Sequence, residues 1–345
     1  MDSYNPTELD GFEFLEFSGP DKKFLNDSFI NFGFKATAKH RHKDITLYQQ
    51  GQINFLLNAE PNSQASQHAN THGSGACSMG FKVNDEKLAY DHTISKGAKS
   101  FNDHTAKYDD SSLAIEGIGG SLIYLCAKNK NPYQNFDFFD QVSSSSESDL
   151  YLIDHLTHNV FQGNMDKWAN FYINLFNFHE IRSFDIEGEK TGLLSRAMGS
   201  PCGKIKIPLN ESKDKISQIE EFLKDYHGEG IQHIALLTEN IYESVEKLKR
   251  NNVKFLDVPH TYYEMINERV NWHQENMERM EKNGLLIDGD KTPEGGLLLQ
   301  IFTHNLFGPS FFEIIQRKNN NGFGEGNFTA LFEAIERDQL ERGVI

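Results

Sequence analysis

Gly230-Ile231-Gln232-His233-Ile234-Ala235-Leu236-Leu237 is the stretch on which the fold turns. It is mostly apolar and stops at Thr238-Glu239-Asn240, so it reads as a strand. Ile241, Val245 and Leu248 then recur at i, i+4 and i+7, one face of a helix. Asn251-Asn252 ends that helix, and Val253-Lys254-Phe255-Leu256 is expected to return as a strand. The same order stands upstream. Strand-like Leu150-Tyr151-Leu152-Ile153 precedes a stripe of Met165, Trp168, Tyr172, Leu175 and Phe176, and further strands follow, separated by Gly188, Gly199 and Gly203. Strand, helix and several strands, repeated, is an α+β plan rather than a doubly wound one. Neither GxGxxG nor GxxxxGKS/T occurs, which argues against the common nucleotide-binding loops.

The plan is also duplicated over the whole chain. Phe32-Gly33-Phe34 and Ile53-Asn54-Phe55-Leu56-Leu57-Asn58 overlay Phe176-Asn177-Phe178 and Ile205-Lys206-Ile207-Pro208-Leu209-Asn210. Gly75-Ala76-Cys77-Ser78 overlays Gly230-Ile231-Gln232-His233. The offset drifts slowly, as in a duplicated domain with loop insertions. Ser143-Ser144-Ser145-Ser146-Glu147-Ser148-Asp149 is the most linker-like stretch. The expected division is residues 1–140, a linker at 141–150, and residues 151–345.

The chain has 345 residues, about two domains' worth. It holds 27 Phe against 2 Trp, which points to Phe-rich cores or a Phe-lined pocket. With 34 Lys and Arg against 50 Asp and Glu the formal net charge is −16, which repels phosphate backbones and argues against nucleic acid as a partner. No apolar run is long enough to span a membrane. The start, Met1-Asp2-Ser3-Tyr4-Asn5-Pro6, shows no basic-then-apolar secretory pattern. Cys77, Cys126 and Cys202 are scattered and odd in number, as in a reduced cytoplasmic protein.

Three ionisable side chains interrupt apolar, strand-like runs: His155 after Leu150 to Asp154, His233 inside Ile231 to Leu237, and Glu313 inside Phe311-Phe312-Glu313-Ile314-Ile315. A carboxylate between two Phe and two Ile is costly to bury unpaired and calls for a metal, a cation or a proton. Two imidazoles and one carboxylate form the ligand set of non-haem Fe(II), and the same set also serves catalytic zinc. The separations are long and carry no local motif. His158 competes with His155. Three residues apart on a strand, they face opposite sides, and periodicity does not choose between them. In the overlay of the halves, Glu16, Ser78 and Tyr124 fall opposite His155, His233 and Glu313, so only the second half is expected to carry the site.

At the C-terminus, Asn327 stands where an N-cap would, and Phe328, Leu331, Phe332 and Ile335 follow at helical spacing. The glycine-rich loop before it, Asn319 to Gly326, suits a hinged lid with Phe323 and Phe328 pointing into a site.

Five segments in order resemble the 4-hydroxyphenylpyruvate dioxygenase family of the vicinal-oxygen-chelate superfamily. They are Ile153-Asp154-His155-Leu156-Thr157-His158-Asn159-Val160, Gly228-Glu229-Gly230-Ile231-Gln232-His233-Ile234-Ala235, Leu298-Leu299-Gln300-Ile301-Phe302, Phe311-Phe312-Glu313-Ile314-Ile315-Gln316-Arg317 and Gly322-Phe323-Gly324-Glu325-Gly326-Asn327-Phe328. Pro259-His260-Thr261-Tyr262-Tyr263 is similar to the family's loop before a helix.

The resemblance implies four βαβββ modules paired into two open β-barrels, with Fe(II) in the second, held by His155, His233 and Glu313. It thereby selects His155 over His158. It implies catalytic roles for Gln232, Gln300, Phe302 and Asn327, and substrate contacts for Ser195, Asn210, Gln218, Phe311, Phe323 and Phe328. The implied substrates are 4-hydroxyphenylpyruvate and O₂, the products homogentisate and CO₂, and the setting tyrosine catabolism, in a homodimer or homotetramer. A hydroxymandelate synthase-like oxygenase and a non-catalytic binder are the alternatives. The synthase is expected to carry smaller aliphatic residues where this chain has Phe302 and Asn327.

Overall fold

The computed structural model describes residues 4–140, 149–187, 192–215, 217–290, 292–327 and 329–331. The first half runs β1 (Phe12–Ser18), α1 (Lys22–Asn31), β2 (Lys35–His40), β3 (Ile45–Gln50), β4 (Ile53–Asn58), α2 (Gln64–His72), β5 (Gly75–Val83), α3 (Glu86–Ser95), β6 (Leu113–Glu116), β7 (Leu122–Ala127) and β8 (Phe136–Phe138). The second runs β9 (Leu150–Val160), α4 (Met165–Phe176), β10 (His179–Glu187), β11 (Gly192–Gly199), β12 (Lys206–Ser212), α5 (Gln218–Asp225), β13 (Gly230–Thr238), α6 (Ile241–Arg250), α7 (His260–Arg269), α8 (Met277–Asn283), β14 (Leu286–Gly289), β15 (Leu297–Phe302) and β16 (Phe311–Lys318).

Each half forms one eight-stranded sheet. Read from opposite ends, the orders match: β6-β7-β5-β1-β4-β3-β2 in the first, β15-β16-β13-β9-β12-β11-β10 in the second. The differences lie at the edges. β14 extends the second sheet beside β15, whereas its counterpart in the first half is reduced to a single bridge, Ser100 to Ile115. β8 adds to the other edge of the first sheet, beside β2. The result is an α+β fold of four strand–helix–strands modules in two curled sheets.

The helices form where the apolar spacing placed them. Met165, Trp168, Tyr172, Leu175 and Phe176 are all buried on α4, and Ile241, Val245 and Leu248 on α6. The expected strand at Val253 to Leu256 is instead an irregular segment with one bridge, Phe255 to Thr303. Of the expected loop Pro259 to Tyr263, Pro259 precedes α7 as its N-cap, while His260 to Tyr263 already form the helix's first turn.

Alternation along the strands gives each sheet two different faces. One face of both sheets joins a single core: Leu15, Phe17 and Phe55 from the first half with Leu156, Phe312 and Ile314 from the second. Phenylalanine does much of the joining, with Phe17 against Phe307 at 5.3 Å and Phe55 stacked on Phe312 at 5.8 Å between ring centroids. A polar tie adds to it. His72 of α2 has Nδ1 2.7 Å from the Tyr226 carbonyl oxygen and Nε2 2.9 Å from that of Gly119. The other face of the first sheet is filled by Phe14, Leu56, Tyr108, Tyr124 and Phe136. The corresponding face of the second sheet carries a smaller buried cluster, Ala235, Leu237, Leu298 and Ile315, and the ionisable residues stand on it beside Ala235.

Candidate metal centre

The three residues singled out by burial cost converge on this face. One ligand atom from each of His155, His233 and Glu313 lies within 4.8 Å of the others. Glu313 Oε2 is 3.2 Å from His155 Nε2 and 3.6 Å from His233 Nε2. Ligands ~2.1 Å from one ion stand about 3.0–3.4 Å apart; the His155 separation falls in that range, and the His233 separation lies slightly beyond it.

Strand pairing explains how distant residues meet. β13 lies between β9 and β16, and Ala235 is the cross-strand partner of both His155 and Glu313. His233 is two residues along β13 and therefore on the same face. His158 leaves this face for the opposite one, where its Nε2 meets the Tyr172 hydroxyl at 2.8 Å.

Two bulges complete the arrangement. The β9–β13 register slips between Ile153 and His155 and again between Ile231 and His233, leaving Asp154 and Gln232 as the extra residues. Each bulge lets a residue reach the histidine that follows it. Asp154 Oδ2 is 2.8 Å from His155 Nδ1, and Gln232 Oε1 is 2.9 Å from His233 Nδ1. Both oxygens accept, so both Nδ1 atoms carry a proton and both Nε2 atoms face Glu313. Gln300 Nε2 donates to Glu313 Oε1 at 3.1 Å, leaving Oε2 toward the histidines. Every candidate ligand is thus held by an atom that would not coordinate, as metal sites require.

Electrostatics agree. Burial pushes the Asp154 carboxyl up, but hydrogen bonds from His155 and Arg317 hold it well below the usual carboxylate range. Arg317 grips it with Nε at 2.9 Å and Nη2 at 2.7 Å, and Lys206 Nζ lies at 3.2 Å. Burial, with His155 next to it, holds the His233 imidazole well below its ordinary value and so neutral. For His155 burial acts downward, and Asp154 and Glu313 more than offset it. Two imidazoles sharing a buried carboxylate are a fitting nest for a divalent cation.

Around the centre, Phe311 stacks on His233 at 5.1 Å, Phe302 lies 6.4 Å from His233, and Phe323 lies 5.3 Å from His155. Ser195 and Asn210 are direct partners across β11 and β12. Asn327 is buried, donates to Gln300 Oε1 at 3.0 Å and accepts from the Tyr262 hydroxyl at 2.6 Å. Asn327 is not an N-cap, because helical backbone already begins at Glu325. Gln218 departs from the rest: it opens α5, is exposed, and among the described residues makes no hydrogen bond to another candidate. Phe328, Phe332, Ile335 and most of the linker lie outside the described residues.

Sequence reading gave no role to Asp154, Lys206, Tyr262 or Arg317. The signal for Asp154 was present: two consecutive polar residues in an apolar strand can share a face only at a bulge. The overlay of the halves also needs correcting. Phe14 pairs with Gly80, whose parallel neighbour is Tyr124, as His155 pairs with Ala235, whose parallel neighbour is Glu313. Phe14, not Glu16, therefore stands opposite His155, while Ser78 and Tyr124 keep their places. Both halves slip at matching places, Glu13 and Cys77 in the first against Asp154 and Gln232 in the second, and in that common register Glu16 stands opposite Thr157.

Comparison with known proteins gives the same picture. Residues 3–155 match the family described as hydroxyphenylpyruvate dioxygenase, HPPD, N-terminal, and residues 152–265 match the glyoxalase/bleomycin resistance protein/dioxygenase superfamily. A 4-hydroxyphenylpyruvate dioxygenase of Legionella pneumophila (strain Corby) is 58% identical over 346 residues, 100% of this chain and 99% of that protein. One from Pseudomonas aeruginosa is 51% identical, covering 100% and 98%. A triple mutant of 4-hydroxymandelate synthase from Streptomyces coelicolor superposes with a TM-score of 0.81 at 25% identity, over 96% of this chain and 99% of that one. The chain belongs to the 4-hydroxyphenylpyruvate dioxygenase family, within the vicinal-oxygen-chelate fold.

Proposed function

We propose that this protein converts 4-hydroxyphenylpyruvate and O₂ to homogentisate and CO₂, with Fe(II) held by His155, His233 and Glu313. The observation that carries the reading is the convergence of two imidazole Nε2 atoms and one carboxylate oxygen, each fixed by a partner on its other atom. Residues 151–345 are then the catalytic part and residues 1–140 the scaffold. The ligand positions in the first sheet hold Phe14, Ser78 and Tyr124, which cannot replace two imidazoles and a carboxylate. Three free thiols suit a reducing cytoplasm.

Ferrous iron, when bound, supplies the place where a 2-keto acid chelates and O₂ is reduced. The remaining work belongs to the chain. Phe302 and Phe311 offer the substrate ring apolar walls beside His233. Ser195 and Asn210 present a hydroxyl and an amide side by side for the phenol. Phe323 covers His155 and excludes water. Gln300 keeps one Glu313 oxygen occupied, so the other keeps its aim.

The test is anaerobic Fe(II) titration, then 4-hydroxyphenylpyruvate, O₂ and product identification. One equivalent of metal and homogentisate with CO₂ are expected. 4-Hydroxymandelate as product would favour the synthase, and substrate binding without turnover would favour a plain binder.

A further inference from the structure

The segment 320–327, which carries Phe323 over the centre, is tied to two of the three candidate ligands through their non-coordinating atoms. At one end Arg317 Nη1 donates to the carbonyl oxygens of Gly322 at 2.7 Å and Asn320 at 3.1 Å. The same guanidinium grips Asp154, which accepts from His155. It also lies 5.7 Å from the Phe323 ring centroid. At the other end Asn327 donates to Gln300, which donates to Glu313. Gly326 N donates to Asp288 at 3.0 Å, and Arg182 pairs with Glu325, so the middle is fastened as well.

The guanidinium is suited to this double task. It is planar, always charged, and presents donors on several sides, so one group can hold a carboxylate bidentately and two loop carbonyls together. Lysine could match the charge but not the fork. If the covering segment lifts, Arg317 loses the two carbonyl partners that help to fix the guanidinium bracing Asp154 and His155.

We infer that Arg317, acting through Asp154, is a positioning residue that couples seating of segment 320–327 to metal binding at His155. The inference rests on the metal reading of His155, His233 and Glu313. Coupling between sites is reciprocal: if the seated segment tightens metal binding, bound metal must hold the segment down by the same factor. Nothing in this requires turnover.

The experiment compares the full chain with Arg317→Met, Arg317→Lys and Glu313→Ala. Each is titrated anaerobically with Co(II), and amide hydrogen exchange is followed over residues 319–327 with and without the ion. Exchange in β12 and β16 reports whether each variant is folded. In the unaltered chain Co(II) slows exchange in the segment. In Arg317→Met the ion binds roughly 10–100-fold more weakly, the usual cost of losing an outer partner of a ligand, and the slowing disappears. Arg317→Lys, which keeps the charge, falls between. A folded Arg317→Met or Arg317→Lys that keeps both affinity and slowing overturns the inference. Weaker binding with the slowing retained also overturns it, since His155 would then be braced independently of the segment. Failure of the unaltered chain to bind Co(II), or equal binding by Glu313→Ala, removes the metal reading itself.

Discussion

Gln232 and His233 are consecutive residues of β13, yet their side chains meet, Oε1 to Nδ1, at 2.9 Å. A regular strand would send them to opposite faces of the sheet. The bulge opposite β9 turns both to one face, and Asp154 and His155 repeat the device on the neighbouring strand. Ligand orientation in this protein is therefore written into strand irregularity.

Gln232→Leu is expected to weaken Fe(II) binding about 10–100-fold, because His233 loses the acceptor that fixes its tautomer. Gln232→Glu keeps an acceptor and should recover most of the affinity. Anaerobic titration measures both. Unchanged binding in the leucine variant would show that the bulge geometry alone suffices.

Gly324 has φ +78°, and a Cβ there would stand 1.8 Å from Gln300 Oε1, the acceptor for Asn327. Gly324→Ala should cost roughly 1–3 kcal/mol through backbone strain and also displace Gln300 from Glu313. Gly163, at φ +87° with open space around it, is the control. Both alanine variants should melt lower, but only Gly324→Ala should lose metal affinity. Equal affinity in the two would separate Gln300 from the ligand set.

Phe302 stands 6.1 Å from Phe311 and 6.4 Å from His233, where it narrows the space beside the centre. In Phe302→Val that wall recedes. Losing an apolar pocket contact changes a transition-state preference by about 1–3 kcal/mol, enough for 4-hydroxymandelate to appear beside homogentisate. Product analysis by chromatography decides it. Homogentisate alone, with turnover retained, would deny Phe302 a steering role.

Glu16 is fully buried in the first sheet, where it accepts from Asn58 at 2.7 Å and from Ser78. Burial raises its pKa, and the two donors only partly oppose that. The folded state thus favours the neutral acid. Its contribution is fully present below the unfolded carboxyl's range and is lost as pH rises through the elevated folded value. Relative to Glu16→Gln, the unaltered chain should be most stable in acid and lose that advantage toward neutrality. Denaturant melts at several pH values measure the difference. Metal content should stay at one ion in Glu16→Gln and in Ser78→Ala. Loss of that ion in either variant, or gain of a second, would break the division between scaffold and catalytic half.

Amino-acid order alone determined the module plan, the duplication, and the three interrupters of apolar runs. Helical and strand periodicities are local, and the cost of burying Glu313 between two Phe and two Ile is visible without coordinates. It could not separate His155 from His158 by spacing, nor place Phe14 rather than Glu16 opposite His155, because both answers depend on which strands pair and in what register. Only tertiary pairing decided those points. It set β13 between β9 and β16, so that residues some eighty positions apart became neighbours. It also brought Arg317 against Asp154, from opposite ends of the second half, by hydrogen bonds that no linear pattern records.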